Sequence, residues 1–248
     1  MAHNIKWFDT IDSTNSEAFR QFSQSEDFSV FAAEFQTNGR GQKGTSWESE
    51  SNRNLTFSIL LKSNSIKAEN QFLIAQIVTI GIKRYLKNLG IDAKIKWPND
   101  IYVGDKKICG ILIEHFLSGD TLSGSIIGIG LNLNQRVFNS DAPNPISVSL
   151  ITGKEYDTKE QLESLAGFIH EIYFSYRNFS SGLSENRLDS EYYDSLYRLE
   201  EFHKYEITKD GRIIEARIMG IDSNACLVLE EEDGTKSRYH FKEVKYIL

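Results

Sequence analysis

A short polar segment, Gln36–Trp47, is the first candidate for chemistry in this chain. It reads QTNGRGQKGTSW and follows the apolar run Phe31–Phe35. Its three glycines permit positive φ or a close approach to a ligand, and Arg40 and Lys43 add positive charge beside the bare amides. The segment matches neither the G-x-G-x-x-G pattern nor the Walker pattern of phosphate loops. The residues alone therefore leave two interpretations open, an unusual phosphate or carboxylate loop and a mobile surface loop.

Three further groups of residues stand out in apolar surroundings. Lys96–Asp100 (KWPND) ends a strand at its proline and places an amide and a carboxylate at the tip, although Pro-Asn-Asp is also ordinary turn chemistry. Lys107 opens an apolar run, so its ammonium either reaches solvent or points into a pocket and neutralises an anion. Gly128–Asn134 (GIGLNLN) puts alternate glycines into a strand, which weakens it unless a ligand approaches the backbone.

Composition limits the classes of protein to consider. The 248 residues are 40% hydrophobic and 25% charged, as in an ordinary globular protein, and are enough for one large domain and one small one. The net charge of −7 argues against a general nucleic-acid binder. No signal peptide or membrane-spanning run is present in the sequence, and Cys109 and Cys226 are far apart, which favours buried free thiols and a cytoplasmic location. Scattered histidines and cysteines predict no protein metal site.

The polar segment lies between two predicted strands, Ser29–Phe35 and Leu55–Leu61. The second is apolar enough to be central in a sheet. A helix is predicted to begin near Ser13, with Thr14 and Glu17 at capping-box spacing. Further helices are predicted at Phe72–Leu89, Thr158–Phe179 and Ser184–Leu199, and further strands at Ala93–Trp97, Ile101–Val103, Lys107–Leu117 and Leu122–Leu133.

The pattern changes after Lys204, where about five short strands are separated by Asp-Gly turns. This is typical of a small barrel that packs on a larger domain. We therefore expect two domains, residues 1–200 and residues 201–248. Because adjacent strands are joined by tight turns and the helices are grouped elsewhere, the predicted fold class is α+β.

Four motifs in this order resemble those of the biotin–protein ligase family. They are Ser13-Thr14-Asn15; Gln36-Thr37-Asn38-Gly39-Arg40-Gly41; Lys96-Trp97-Pro98-Asn99-Asp100 with Lys107-Ile108-Cys109-Gly110-Ile111-Leu112; and Gly128-Ile129-Gly130-Leu131-Asn132. Any one motif is weak, whereas four in the right order are specific. The resemblance implies a mixed central sheet with flanking helices, like that of class II synthetases, and a small C-terminal SH3-like barrel.

The resemblance also implies roles for individual residues. Lys107, Arg40 and Asp100 would be catalytic. The residues expected to bind biotin are Ser13, Thr14, Asn15, Gln36, Gly39, Arg40, Gly41, Gln42, Lys107, Gly110, Gly128 and Gly130. Those expected to bind ATP or the adenylate are Lys43, Trp47, Asn99 and Asn132, with Trp47 stacking on adenine.

The implied activity uses biotin, ATP and Mg²⁺ to form biotinyl-5′-AMP, and then biotinylates a lysine of a biotin carboxyl carrier domain. The alternatives are a lipoate or octanoyl ligase or transferase of the same architecture and a non-catalytic biotin sensor. Gln42 and Thr45 replace arginines of the family's GRGRRGR loop, so loop ordering is expected to differ. The chain starts almost at the catalytic domain, so we expect no repressor activity, no nucleic-acid or membrane partner, and a monomer or homodimer.

Overall fold

The computed structural model describes residues 4–41, 47–62, 66–139, 144–177 and 183–248. Its larger sheet has the strand order β1-β2-β3-β7-β6-β5-β4. The sheet is mixed, because β1 and β2 run parallel while the other neighbouring pairs are antiparallel. Its strands are β1 (Ile5–Ile11), β2 (Ser29–Gln36), β3 (Leu55–Leu61), β4 (Lys94–Lys96), β5 (Asp100–Val103), β6 (Lys106–Ser118) and β7 (Thr121–Leu131).

Helices pack on both faces of this sheet. One helix connects the parallel strands β1 and β2 and packs against β2, β3 and β7. Two others pack on each other over the opposite face, so closely that a Cβ at Gly81 would lie 2.7 Å from Ile169. In chain order the α-helices are α1 (Thr14–Arg20), α2 (Phe72–Asn88), α3 (Val148–Thr152), α4 (Thr158–Arg177) and α5 (Leu183–Asp194).

Strand β3 shows how the sheet separates its two faces. All of its residues are buried, which confirms the strand predicted from the apolar run. Phe57 and Ile59 belong to the main core beneath α2 and α4, whereas Leu60 packs with Ala18 of α1. Because side chains alternate along a strand, Ser58 lies on the same face as Leu60. A hydroxyl is therefore buried on the α1 face of a strand that is otherwise almost entirely apolar.

The C-terminal residues form a second, five-stranded antiparallel sheet in the order β11-β10-β9-β8-β12. The strands predicted after Lys204 are confirmed, and the sheet is compatible with an SH3-like fold. They are β8 (Phe202–Ile207), β9 (Ile213–Ile221), β10 (Leu227–Glu231), β11 (Lys236–Tyr239) and β12 (Val244–Tyr246). Among the described residues, none of the helices combines the length and apolar character that crossing a membrane requires.

Several elements differ from the sequence prediction. Strand β1 and the short helix α3 were not predicted. Strand β1 gives a weak local signal, since it is only half-buried and its partner β2 is distant in the sequence. Thr14 is not the N-cap of α1, because Ser13 occupies that position. The Ser13 side chain makes no capping hydrogen bond. Helix α5 ends at Asp194 and not at Leu199, since the following residues pair with β4 through hydrogen bonds from Ile95 to Ser195 and from Tyr197 to Ile95.

Candidate active site

Several of the predicted site residues meet on the face of the larger sheet that α1 covers, among them Thr14, Asn15, Gln36 and Gly128. Gly110 of β6 is paired with Gly130 of β7, and Ser58 of β3 is paired with Gly128. A Cβ at Gly128 would overlap the side-chain oxygen of Asn15. The glycines therefore leave bare backbone on which other side chains rest directly.

A series of hydrogen bonds crosses this face, and we call Gln36, Thr14, Ser58, Asn15 and Glu114 the polar chain. Gln36 Oε1 accepts the amide N–H of Thr14 at 2.8 Å and lies 3.1 Å from Thr14 Oγ1. Ser58 Oγ lies 2.7 Å from Thr14 Oγ1 and 2.6 Å from Asn15 Oδ1. Asn15 Nδ2 donates to Glu114 Oε2 at 2.7 Å. The polar chain thus links the end of β2 to the middle of β6 through the start of α1.

The polar chain has three oxygen–oxygen contacts but only two hydroxyl hydrogens to fill them. The two side-chain amides have fixed orientations, because Gln36 Oε1 accepts the Thr14 amide and Asn15 Nδ2 faces a carboxylate. Only the hydroxyls of Thr14 and Ser58 can supply hydrogens to the three oxygen–oxygen contacts between Gln36 and Asn15. Each hydroxyl has one proton, so one contact always lacks a hydrogen. The oxygens of the polar chain therefore have unused acceptor capacity, to which a ligand N–H could donate.

Arg40 lies at the Glu114 end of the polar chain. Its guanidinium is 4.0 Å from Glu114 Oε2 and donates to Ser16 Oγ at 3.3 Å. The Arg40 and Glu114 side chains are 45% and 41% exposed, so water screens their attraction and the ion pair is weak. Arg40 can therefore exchange this contact for one with an anionic ligand.

Lys107 and Asp100, two of the three residues predicted to be catalytic, form a direct ion pair with Nζ and Oδ2 2.8 Å apart. The backbone of Lys107 lies beside Tyr102 of β5 and has two further anchors, since its N–H donates to Asn144 O and its carbonyl accepts from Ile146 N–H. The third predicted residue, Arg40, approaches Glu114 and not this pair.

The indole of Trp47 covers the glycine surface that was expected to leave room for biotin. A Cβ at Gly110 would lie 2.8 Å from Trp47 Cζ3, and one at Gly130 would overlap the indole. The ammonium of Lys107 lies 5.9 Å from the ring centroid. The indole N–H is buried and has no hydrogen-bond partner in the described structure. In this conformation Trp47 covers Gly110 and Gly130, and its stacking on adenine stays a prediction.

The remaining predicted residues are more dispersed. Asn99 donates to Ile111 O while its Oδ1 is buried without a partner, and Asn132 donates to Ile146 O. Ser13 is buried at the start of α1, and Gly39 accepts the amide N–H of Trp47 at 3.1 Å. Gly41 is the last described residue before position 47. The predicted ligand contacts of Gln42 and Lys43, and the substitution at Thr45, lie outside the described residues.

Two members of the polar chain were missed by sequence reasoning. Ser58 is the middle residue of a buried apolar strand, and Glu114 follows the apolar run Ile111–Ile113. Each is a polar residue inside an apolar strand, and that was the available signal. Which face of the sheet each side chain occupies depends on strand register, which the sequence did not supply.

The titratable groups favour binding and electrostatics over a protein nucleophile. Cys109 is fully buried, and burial raises the pKa of its thiol far above the usual value, so the thiolate is absent at neutral pH. Burial lowers the pKa of Lys96, and the negative charge of Asp100 partly opposes this shift. Within the described ranges, no three histidine, cysteine or carboxylate side chains converge to hold a metal ion.

Comparison with known proteins gives consistent matches. A model of the biotin/lipoate A/B protein ligase family matches residues 7–132. The bifunctional ligase/repressor BirA of Bacillus spizizenii is 27% identical, in an alignment that covers 96% of this chain and 73% of that protein. The biotin–[acetyl-CoA-carboxylase] ligase of Paracoccus denitrificans is 29% identical, over 62% of this chain and 67% of that protein. The biotin protein ligase from Aquifex aeolicus, solved with biotin and ATP, is 26% identical with a TM-score of 0.78, over 98% of this chain and 97% of that one.

Proposed function

Because the chain belongs to the biotin/lipoate A/B protein ligase family, we propose that it is an ATP-dependent biotin–protein ligase. It forms biotinyl-5′-AMP from biotin and ATP and then transfers the biotinyl group to a lysine of a biotin carboxyl carrier domain. The relative in Paracoccus denitrificans is named for acetyl-CoA carboxylase, which supports a carboxylase carrier domain as the acceptor.

The proton deficit of the polar chain carries the choice of biotin. The ureido ring of biotin has two N–H donors and one carbonyl acceptor. One such N–H can donate to the unused acceptor capacity of the Thr14, Ser58 and Asn15 oxygens. The dithiolane ring of lipoate and the alkyl chain of octanoate have no N–H to donate. Either would leave these buried acceptors unused, which is energetically less favourable.

The first half-reaction brings two anions together. A carboxylate oxygen of biotin attacks the α-phosphorus of ATP, a P–O bond breaks, and pyrophosphate leaves. Lys107 and Arg40 supply the cations that reduce the repulsion between carboxylate and phosphate and stabilise the charge that develops at phosphorus. Lys107 exchanges its contact with Asp100 for the substrate oxygens, and Arg40 exchanges its contact with Glu114.

The second half-reaction is acyl transfer to an amine. The neutral acceptor amine attacks the biotinyl carbonyl carbon, the bond from that carbon to the AMP oxygen breaks, and AMP leaves. The lysine ammonium loses one proton to solvent before the attack, and the same nitrogen releases a second proton to solvent as the amide forms. We assign Asp100 the role of orienting the amine once Lys107 has turned to the phosphate, and its 2.8 Å contact with Lys107 supports this assignment.

Magnesium enters with ATP in this scheme. The described residues offer no group of three metal-ligating side chains, whereas the triphosphate itself provides oxygen ligands for Mg²⁺. We therefore assign the ion to the substrate, MgATP, and route no step through a protein-held metal.

The alternatives make different demands on the site. A non-catalytic biotin sensor needs neither the Lys107–Asp100 pair nor a cation at Arg40, and both are present. Two buried free cysteines, Cys109 and Cys226, support a cytoplasmic location. Monomer or homodimer remains the proposed assembly, with a carrier domain and no nucleic acid as partner.

The decisive experiment incubates the protein with MgATP and a carrier domain in the presence of either biotin or lipoate, and detects the modified lysine by mass spectrometry. We expect a biotinylated carrier and release of pyrophosphate that depends on biotin. Lipoylation without biotinylation would establish the alternative ligase. Biotin binding without release of pyrophosphate would establish the sensor.

A further inference from the structure

The two ends of the motif Lys96–Asp100 contact different parts of the protein. Asp100 faces Lys107 in the candidate active site, but the indole N–H of Trp97 donates to Ala225 O at 3.2 Å in the turn between β9 and β10. The Trp97 ring also meets the edge of Phe241, with centroids 6.1 Å apart. The tryptophan is only 6% exposed. The first part of the motif is therefore packed into the small C-terminal sheet.

The neighbours of Trp97 are held in the same way. The ammonium of Lys96 lies 4.8 Å from the ring centroid of Tyr102 and 4.9 Å from that of Tyr246 in β12. The carbonyl of Pro98 accepts a hydrogen bond of 2.6 Å from the hydroxyl of Tyr192 in α5. Lys96, Trp97 and Pro98, which end β4 and begin the turn to β5, thus each contact a residue outside the larger sheet.

The turn that contacts Trp97 is itself unusual. Ala225 has φ of 61°, a left-handed conformation that is unfavourable for a residue with a Cβ. Asp222 stabilises the turn by accepting the amide N–H groups of Asn224 and Cys226, each at 2.9 Å. This conformation directs the Ala225 carbonyl at the Trp97 indole, which is a specific reason for the strained residue.

We propose that Trp97 is a positioning residue through which the C-terminal sheet fixes Asp100 for transfer of biotin to the acceptor lysine. The inference rests on the proposed ligase function. It predicts different effects on the two half-reactions, because the Lys107 backbone has additional anchors at Asn144 and Ile146 that Trp97 does not contact. Adenylate formation, which uses Lys107, should therefore tolerate a loosened Trp97, whereas transfer, which uses Asp100, should not.

The test variant is Trp97→Phe, which retains an aromatic ring against Phe241 and removes the N–H. We expect single-turnover transfer from preformed biotinyl-AMP to a carrier domain to slow about tenfold, the rate equivalent of one lost hydrogen bond. Biotin-dependent pyrophosphate exchange and the KM for biotin should stay within about twofold of wild type. Equal losses in both half-reactions, or no loss in transfer, would overturn the proposal.

Two matched variants separate positioning from simple stability. Tyr246→Phe removes a buried hydroxyl without a partner at the same interface and should leave both half-reactions unchanged. Asp222→Ala releases the turn without touching the larger sheet and should reproduce the selective loss of transfer. If Asp222→Ala impairs adenylation as strongly as transfer, or leaves transfer at the wild-type rate, the proposal is wrong. If the wild-type protein forms no biotinyl-AMP, the proposed function itself fails, a result distinct from all of these.

Discussion

Trp47 lies against Gly130 so closely that no larger residue fits beneath the indole: a Cβ at Gly130 would overlap the ring. The same indole covers Gly110 on the neighbouring strand. A ligand that uses this part of the sheet must displace the indole or bind beside it. The buried indole N–H without a partner makes the covered state less stable than its contact area suggests.

Replacement of Trp47 by alanine should affect the two substrates in opposite directions. Without ATP, biotin should bind roughly threefold to tenfold more tightly, because the fraction of molecules with an open glycine surface increases. The KM for ATP should rise, since the predicted adenine-stacking ring is lost. Isothermal titration with biotin and steady-state kinetics in ATP measure the two effects. Trp7→Phe, at the edge strand β1, is the control. Unchanged biotin affinity in Trp47→Ala would show that the indole does not compete with biotin.

Replacement of Lys107 by methionine should reduce biotin-dependent pyrophosphate exchange about 100-fold to 1,000-fold, because a cation at a developing anion contributes ~3–4 kcal/mol. Methionine retains much of the side-chain length. Lys106→Met is the matched control, since Lys106 is exposed on the same strand. The assignment of Lys107 is contradicted if both variants exchange pyrophosphate at similar rates.

Replacement of Ser58 by alanine should lower the free energy of unfolding by ~1–2 kcal/mol and weaken biotin binding about tenfold, because Thr14 and Asn15 lose a shared hydrogen-bond partner. Ser25→Ala is the matched control. Ser25 is also buried, but its hydroxyl has no partner, so its removal should cost less than ~0.5 kcal/mol. Denaturant titration and biotin titration of both variants test this. Equal stability losses would show that burial of a serine, and not the polar chain, sets the effect.

Acidification should destabilise the fold partly through His115. Burial lowers the pKa of this histidine in the folded state, where its Nδ1 lies 2.8 Å from Ser125 Oγ. The unfolded chain therefore binds the proton more readily, and stability falls as the pH decreases through the unfolded-state pKa near 6.5. Replacement of His115 by glutamine should flatten the dependence of unfolding free energy on pH between about 7 and 5. The same slope in the variant would assign the acid sensitivity to other groups.

The fold was largely predictable where local pattern and burial agree. The run Leu55–Leu61 is apolar throughout and forms a fully buried strand, and the Asp-Gly turns marked the small C-terminal sheet. Strand β1 was not predictable in the same way. Its residues are half-buried, and it is a strand because β2 lies beside it in parallel, a contact between distant parts of the chain.

The site was predictable in its residue types and less so in its contacts. Resemblance to known motifs indicated Lys107 and Asp100, and the structure brings them together. The junction of Ser58 with Thr14 and Asn15 depends on which face of β3 meets α1, and register sets that face. The resting place of Trp47 depends on the absence of side chains on two other strands, which no local pattern at Trp47 reveals.

The backbone beside Trp47 determines how fast the indole can leave the glycine surface. Its N–H is bonded to Gly39 O, and the next side chain, Glu48, accepts the amide N–H of Asn139 at 3.0 Å. With these anchors intact, exchange between covered and open surfaces is a change of side-chain rotamer. Rotamer changes of exposed side chains take picoseconds to nanoseconds, and even a slower, partly buried indole turns in far less than the milliseconds of a typical catalytic cycle. We therefore expect Trp47 to affect how tightly ligands bind and not the turnover rate.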